Sequence, residues 1–204
     1  MTPVRSAPTL WAEEAPIETP WPALGGTDTE CQFLVVGAGL AGLAIAGELA
    51  RRGADVLVVD EAAPGAGAST RNAGFVLVAH AWEYPAMRER IGVEQTRAMI
   101  AIARRTHDRI ERDFGASVRH RRCGTLMLPM RDGGGEDVLL ERAAELLRED
   151  GVACEWVAPP SALEGFDRAL SIPEDGEVHP GALVAALARE VTRGRIARID
   201  AIDP

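Results

Sequence analysis

Three glycines, Gly37, Gly39 and Gly42, stand in the order GxGxxG, and a carboxylic acid, Asp60, follows the first of them by 23 positions. That set is suited to phosphate and sugar recognition. Gly37 permits a tight strand-to-helix turn, Gly39 leaves no side chain where a pyrophosphate must approach the backbone, and Gly42 lets the next helix lie close on a sheet. The N–H groups that open this helix, Leu40 and Ala41 among them, lack partners within it and face the phosphates, aided by the positive end of the helix dipole. Asp60 falls near the spacing of ~20 residues at which a carboxylate takes a ribose hydroxyl pair, with Glu61 as the neighbouring candidate.

The elements that must position these residues surround them directly. The apolar run FLVV, residues 33–36, reads as a buried parallel strand, Ala46 and Leu49 continue the inward face of a helix, Gly53 ends it, and VLVV, residues 56–59, is a second strand ending at Asp60. A lone glycine pattern is weak, since most glycine turns hold nothing. Here strand, turn, helix, strand and acid follow in order, which is the context dinucleotide binding requires.

A second stretch, PGAGASTRNAGFVL at residues 64–77, carries Gly65, Gly67 and Gly74 for close backbone approach, Ser69, Thr70 and Asn72 for short-range hydrogen bonds, and the cation Arg71. It reads either as a loop closing a pyrophosphate from its other side or as an ordinary flexible loop.

GAGLAGLAIAGELARRGADVLVVDE followed by GAGASTRNAGF resembles the start of the FAD-dependent oxidoreductases of the D-amino-acid oxidase, glycine oxidase and sarcosine oxidase superfamily. The resemblance implies that Gly37, Gly39, Leu40, Ala41 and Gly42 hold the ADP pyrophosphate and that Asp60, or Glu61, holds the adenosine ribose. It further implies that Ala68, Ser69, Arg71, Asn72, Ala73 and Gly74 run along the pyrophosphate toward the flavin. Two departures stand out: Asp60 occupies a position where the family more often has Glu, and Thr70 one where Gly is frequent. The first preserves ribose binding, whereas the second adds a Cβ that bears on the loop path. A Trp- and Pro-containing arm ahead of the first strand resembles the γ-glutamylputrescine oxidoreductase-like subgroup.

Members of that superfamily are nearly twice as long, so the resemblance covers their N-terminal half and the domain is expected to be truncated relative to them. The half without a counterpart carries most of the substrate domain, a late glycine-rich flavin segment and the arginine that clamps a substrate carboxylate. No residue here is therefore assigned to direct catalysis. The expected fold is α/β, a Rossmann-like FAD-binding domain with a parallel sheet and a helical and strand insertion. Its expected layout is an extended arm at 1–30 and an FAD-binding domain at 31–80 and 173–204, with the insertion at 81–172. The implied function is oxidation of an amine or amino acid by hydride transfer to flavin. Two alternatives are an NAD-dependent dehydrogenase, which leaves GASTRNAGF unexplained, and a non-catalytic or partner-dependent subunit that binds a dinucleotide with another chain supplying the missing half.

Composition sets limits. The chain has 204 residues, is 47% hydrophobic and carries a formal net charge of -9, which argues against nucleic acid and acidic membrane surfaces as partners. No apolar run approaches the ~20 residues of a spanning helix, and no basic segment leads an apolar core at the N-terminus, so a cytoplasmic location is expected. Cys31, Cys123 and Cys154 are widely spaced and read as small buried hydrophobes.

The first 30 residues read as an extended arm, too broken by proline for a helix, with Trp11 and Trp21 pinned on the globular surface; a disordered leader is the alternative. Val93, Met99, Ile102, Ala103, Ile110 and Phe114 mark a long amphipathic helix over 93–114, and EDVLLERAAELLRED another that Gly151 ends. The segment Arg119, His120, Arg121 and Arg122 reads as a solvated rim rather than an anion site, and His179 as the entry to a helix before Pro180. His80 and His107 lack metal-pair spacing. Trp82 and Tyr84 read as core packing rather than pocket lining. No metal site is expected.

Overall fold

The computed structural model describes residues 9–16, 23–24, 30–80, 83–129, 136–191 and 195–198. It divides into two compact units, the first comprising Met1–Gly74, Ser117–Arg119 and His179–Pro204, the second Phe75–Ala116 and His120–Val178. The class is α/β, as the sequence implies.

In the first unit three parallel strands form one sheet in the order β1 (Phe33–Val36), β2 (Val56–Asp60), β8 (Arg195–Arg198). β2 is central, and Val56, Leu57, Val58 and Val59 are all buried, the pattern of a parallel strand covered on both faces. The expectation that β1 is buried needs correction. Phe33, Leu34 and Val36 are 47%, 57% and 60% exposed. Among the described residues β1 pairs only with β2, and of its side chains Val35 reaches the helix that follows, lying where Gly42 has no Cβ.

That helix, α2 (Leu40–Arg51), buries Leu43, Ala46 and Gly47, one stripe at helical spacing. It lies against α6 (Pro180–Val191), and a Cβ on Gly47 would come within 3.2 Å of the Glu190 carboxylate, so glycine sets the closeness of the two helices. α6 is buried almost all round, as its run PGALVAALA, apolar up to Arg189 and Glu190, requires. A short helix, α1 (Leu10–Glu14), interrupts the arm that proline was expected to keep extended. Thr9 makes it possible: its hydroxyl accepts from the Ala12 N–H at 3.2 Å. Trp21 lies outside the described residues.

The second unit carries β3 (Phe75–Val76) paired antiparallel with β7 (Gly176–Glu177), and an antiparallel sheet in the order β4 (Thr125–Met127), β6 (Ala169–Ile172), β5 (Glu155–Val157). Its helices are α3 (Tyr84–Ile91), α4 (Val93–Asp113) and α5 (Glu136–Glu149). Tyr84, Ile100, Leu140, Ala143, Leu147, Val152, Leu170 and Ile172 share one core. α4 has the expected span, but its buried stripe is Thr96, Ile100, His107 and Ile110, while Met99 and Ile102 are 49% and 54% exposed. Thr96 turns inward because its hydroxyl is satisfied within the helix, donating to the Gly92 carbonyl at 2.8 Å.

A buried acid organises the helices of this unit. Asp150 accepts from the Tyr84 hydroxyl at 2.8 Å, from Arg88 at 2.7 Å and from Arg97 at 2.8 Å. Burial alone would raise its pKa, yet these donors overrule it and hold the carboxyl below its ordinary value. Tyr84 is fully buried, as the core reading expects, and burial together with the Asp150 charge pushes its phenol upward. Trp82 lies outside the described residues.

Candidate cofactor site

The site is built where β1 ends. Gly37 continues the sheet, its N–H donating to the Val59 carbonyl at 2.8 Å, and takes φ +104, a conformation closed to most side chains. The next residue, Ala38, is buried and donates its N–H to Asp60 Oδ2 at 2.6 Å. The other carboxylate oxygen, Oδ1, accepts from the Ala62 N–H at 2.8 Å. Asp60 thus locks the glycine turn to the end of β2, a task the sequence reading did not assign it. A carboxylate offers about four acceptor positions, so ribose hydroxyls still have lone pairs to bind. Glu61 is exposed one residue on.

Ser69 closes the opposite wall. Its hydroxyl oxygen accepts from the Leu40 N–H at 2.9 Å, and a Cβ on Gly39 would meet that same oxygen at 2.9 Å. Glycine at 39 therefore lets Ser69 reach the helix start. Gly42 is more constrained still, for its Cβ would overlap the Gly37 carbonyl. Beyond Leu40, the N–H groups of Ala41 and Gly42 have no carbonyl one turn back within α2, and Ala41 is exposed. Helix-start amides, the positive end of the dipole and a serine O–H form a cradle for an anion.

The loop bearing Ser69 holds itself together. It makes one short turn of 3-10 helix, Ala68–Thr70. Thr70, the departure from glycine, is buried and donates its hydroxyl to the Gly65 carbonyl at 2.7 Å, so its extra Cβ carries a tie that stiffens the loop. Asn72 donates from Nδ2 to the Ala68 and Ser69 carbonyls at 3.1 and 3.0 Å and accepts from the Gly74 N–H at 2.9 Å. Arg71 folds back, its guanidinium donating to the Ala66 and Gly67 carbonyls. Ala68 and Ala73 are exposed, and Gly74 is buried at φ +79. The structure thus brings Gly39, Leu40, Asp60 and Ser69 to the helix start, while Asn72 and Arg71 spend their polar groups on the loop itself.

Residues 32–199 match the family model described as FAD dependent oxidoreductase. The chain belongs to this family of FAD-dependent oxidoreductases. It is 31% identical over 173 residues to 4-methylaminobutanoate oxidase (formaldehyde-forming) of Paenarthrobacter nicotinovorans, covering 79% of this chain and 19% of that protein. It is also 37% identical over 145 residues to a tRNA 5-methylaminomethyl-2-thiouridine biosynthesis bifunctional protein of Acidovorax sp. strain JS42, covering 64% of this chain and 22% of that protein. Among solved structures, glycine oxidase from Geobacillus kaustophilus superposes with a TM-score of 0.59 at 24% identity, over 82% of this chain and 46% of that one. L-proline dehydrogenase from P. horikoshii does so with a TM-score of 0.64 at 21% identity, over 85% and 45%. At these identities the two structures show a shared fold. The chain spans about a fifth of the first curated relative and just under half of these solved chains.

The residues present fit the family's cofactor. The Gly39 and Ser69 cradle, which a side chain at 39 would fill, suits a pyrophosphate, and the carboxylate at the end of β2 suits a ribose. The other residues singled out from the sequence lie elsewhere. His107 and His120 pair in the second unit, Nδ1 to Nε2 at 3.2 Å, while His107 Nε2 lies 2.9 Å from the Val76 carbonyl. A carbonyl only accepts, so neutral His107 carries its proton on Nε2, and its Nδ1 accepts a hydrogen bond from the His120 Nε2–H. Burial pushes both imidazoles below their ordinary pKa. Arg119, Arg121 and Arg122 are exposed and pair with Glu14, Glu177 and the Asp108 and Glu111 couple, as a solvated rim would. Among the described residues no group of three or more His, Cys, Asp or Glu side chains gathers to hold a metal, and no helix is long and apolar enough to cross a membrane.

Proposed function

We propose that this chain is the FAD-binding part of an oxidoreductase that oxidises an amine or amino acid. The family match over residues 32–199, seated on the Gly39 and Ser69 cradle, carries the reading. Bound FAD supplies the acceptor for a hydride from the carbon bearing the amine, after which the resulting imine hydrolyses. The chain's own residues bind and orient. The Ala41 and Gly42 amides and the Ser69 hydroxyl hold the pyrophosphate, and Asp60 takes ribose hydroxyls while fixing the turn through Ala38. Ala68, Arg71, Asn72, Ala73 and Gly74 line the path toward the flavin, and exposed Glu61 is the neighbouring acid on the ribose side. The family match favours FAD over the nicotinamide of a dehydrogenase. The amine class is favoured by the 31% identical relative, whose name is that of a methylaminobutanoate oxidase.

In the layout we propose, residues 1–30 form an arm, 31–80 and 173–204 the FAD-binding domain, and 81–172 an insertion, with a cytoplasmic location that accords with three free cysteines. A second reading, in which further sequence or a partner chain completes the site, is favoured by β1, whose exposed Phe33, Leu34 and Val36 leave, among the described residues, a strand edge and an apolar face for another element to cover. An anaerobic mixture of the FAD-loaded chain with secondary and N-methylated amines or amino acids tests the activity. Bleaching of the flavin's visible absorbance by any of them upholds it. A chain that holds FAD and is bleached by none favours the second reading.

A further inference from the structure

We propose that residues 9–16 act as a strap that sets the shape of the cofactor loop, with Trp11 as a positioning residue of the FAD site acting through Asn72; this rests on the FAD reading above. The indole Nε1 of Trp11 donates to the Asn72 carbonyl at 2.8 Å, a bond across 61 residues of sequence. Asn72 is the knot of the loop. Its side chain ties the Ala68 and Ser69 carbonyls to the Gly74 N–H, and Ser69 in turn meets the Leu40 N–H at the start of α2. Trp11 therefore stands three contacts from the amide that opens the anion cradle.

The strap is itself anchored on its other side. The Trp11 ring meets the buried His179 imidazole edge-on, centroids 4.9 Å apart at 68°. His179 Nδ1 accepts from the Ala182 N–H at 3.1 Å, so in neutral His179 the proton sits on Nε2, 3.3 Å from Glu14 Oε2. That line is too bent for a full hydrogen bond, and Arg119 satisfies the same Glu14 oxygen at 2.8 Å. Gly181 completes the seat, because a Cβ there would overlap the Trp11 carbonyl. Between strap and loop lies a cavity of about 390 Å³ lined by Thr9, Ala12, Gly65, Ala66, Thr70 and Arg71. Beside that space the directional bond from Trp11 to Asn72 ties the loop to the strap.

Hydrogen exchange at the Arg71 and Gly74 amides of the full chain, with and without FAD, reads this directly. Trp11→Phe keeps an apolar ring and removes the donor, and Gly181→Ala displaces the strap from behind without touching the loop. Both are expected to speed exchange at those amides and to weaken FAD binding by about 2–10-fold, the loss of one hydrogen bond, while β2 amides stay as in the unaltered chain. Wild-type exchange at both amides in both variants would overturn the strap whatever FAD does. If the unaltered chain takes up no FAD, the cofactor reading falls, and loop exchange in the apo chain still decides the strap.

Discussion

Asp60 has two tasks at once. Its carboxylate holds the Ala38 and Ala62 amides, and in the cofactor reading it also takes the ribose hydroxyls. Asp60→Ala is expected to weaken FAD by about 1–3 kcal/mol, the range for lost charge-assisted hydrogen bonds, as read by fluorescence titration. Glu61→Ala, at an exposed position, is expected to leave affinity unchanged. The reverse ranking would move ribose binding to Glu61. The acid itself is legible in the sequence from its spacing to Gly37, but its bond to Ala38 is not, because that depends on how sharply the chain turns at φ +104.

At the scale of elements, Asp150 joins α3 and α4 to the end of α5 through Tyr84, Arg88 and Arg97, with its own side chain fully buried. Asp150→Asn is expected to cost about 1–3 kcal/mol, since one amide oxygen replaces the carboxylate that serves the Tyr84 hydroxyl, Arg88 and Arg97, and urea unfolding measures it. An unchanged midpoint would mean the network contributes nothing net. Local order made β1, α2 and β2 readable in advance: strand, turn, helix and acid follow within 28 consecutive residues, 33–60, and each is fixed by its neighbours. α4 was readable in span but not in face. Its apolar residues lie on two sides, so periodicity allows either stripe, and only the tertiary core that Ile100 joins selects it over Met99 and Ile102. The bond from Trp11 to Asn72 was unreadable for a different reason, being set by the path of the chain across 61 residues.

Across the molecule as a whole, stability is expected to depend on pH through the pair of buried His107 and half-buried His120. His107 and His120, flanked by Arg122, Asp108 and Glu111, have folded pKa values below their ordinary 6.5. The unfolded chain then binds more protons between those values, so stability is full above about pH 6.5 and falls as the pH drops toward the folded values. Thermal midpoints from pH 7.5 to 5 are expected to fall on the acid side, and His107→Gln to flatten that part of the curve. A midpoint that rises on acidification would contradict the neutral pair.

The central claim, that the glycine turn and Ser69 form an FAD cradle, is tested most directly by adding FAD to the 204-residue chain and to its Gly39→Val variant, desalting both, and recording the spectra. The unaltered chain should keep the flavin's visible bands, and Gly39→Val should lose them while its circular dichroism is unchanged, because the new side chain stands where Ser69 and the pyrophosphate meet. Flavin retained equally by both, or by neither while both are folded, would contradict it.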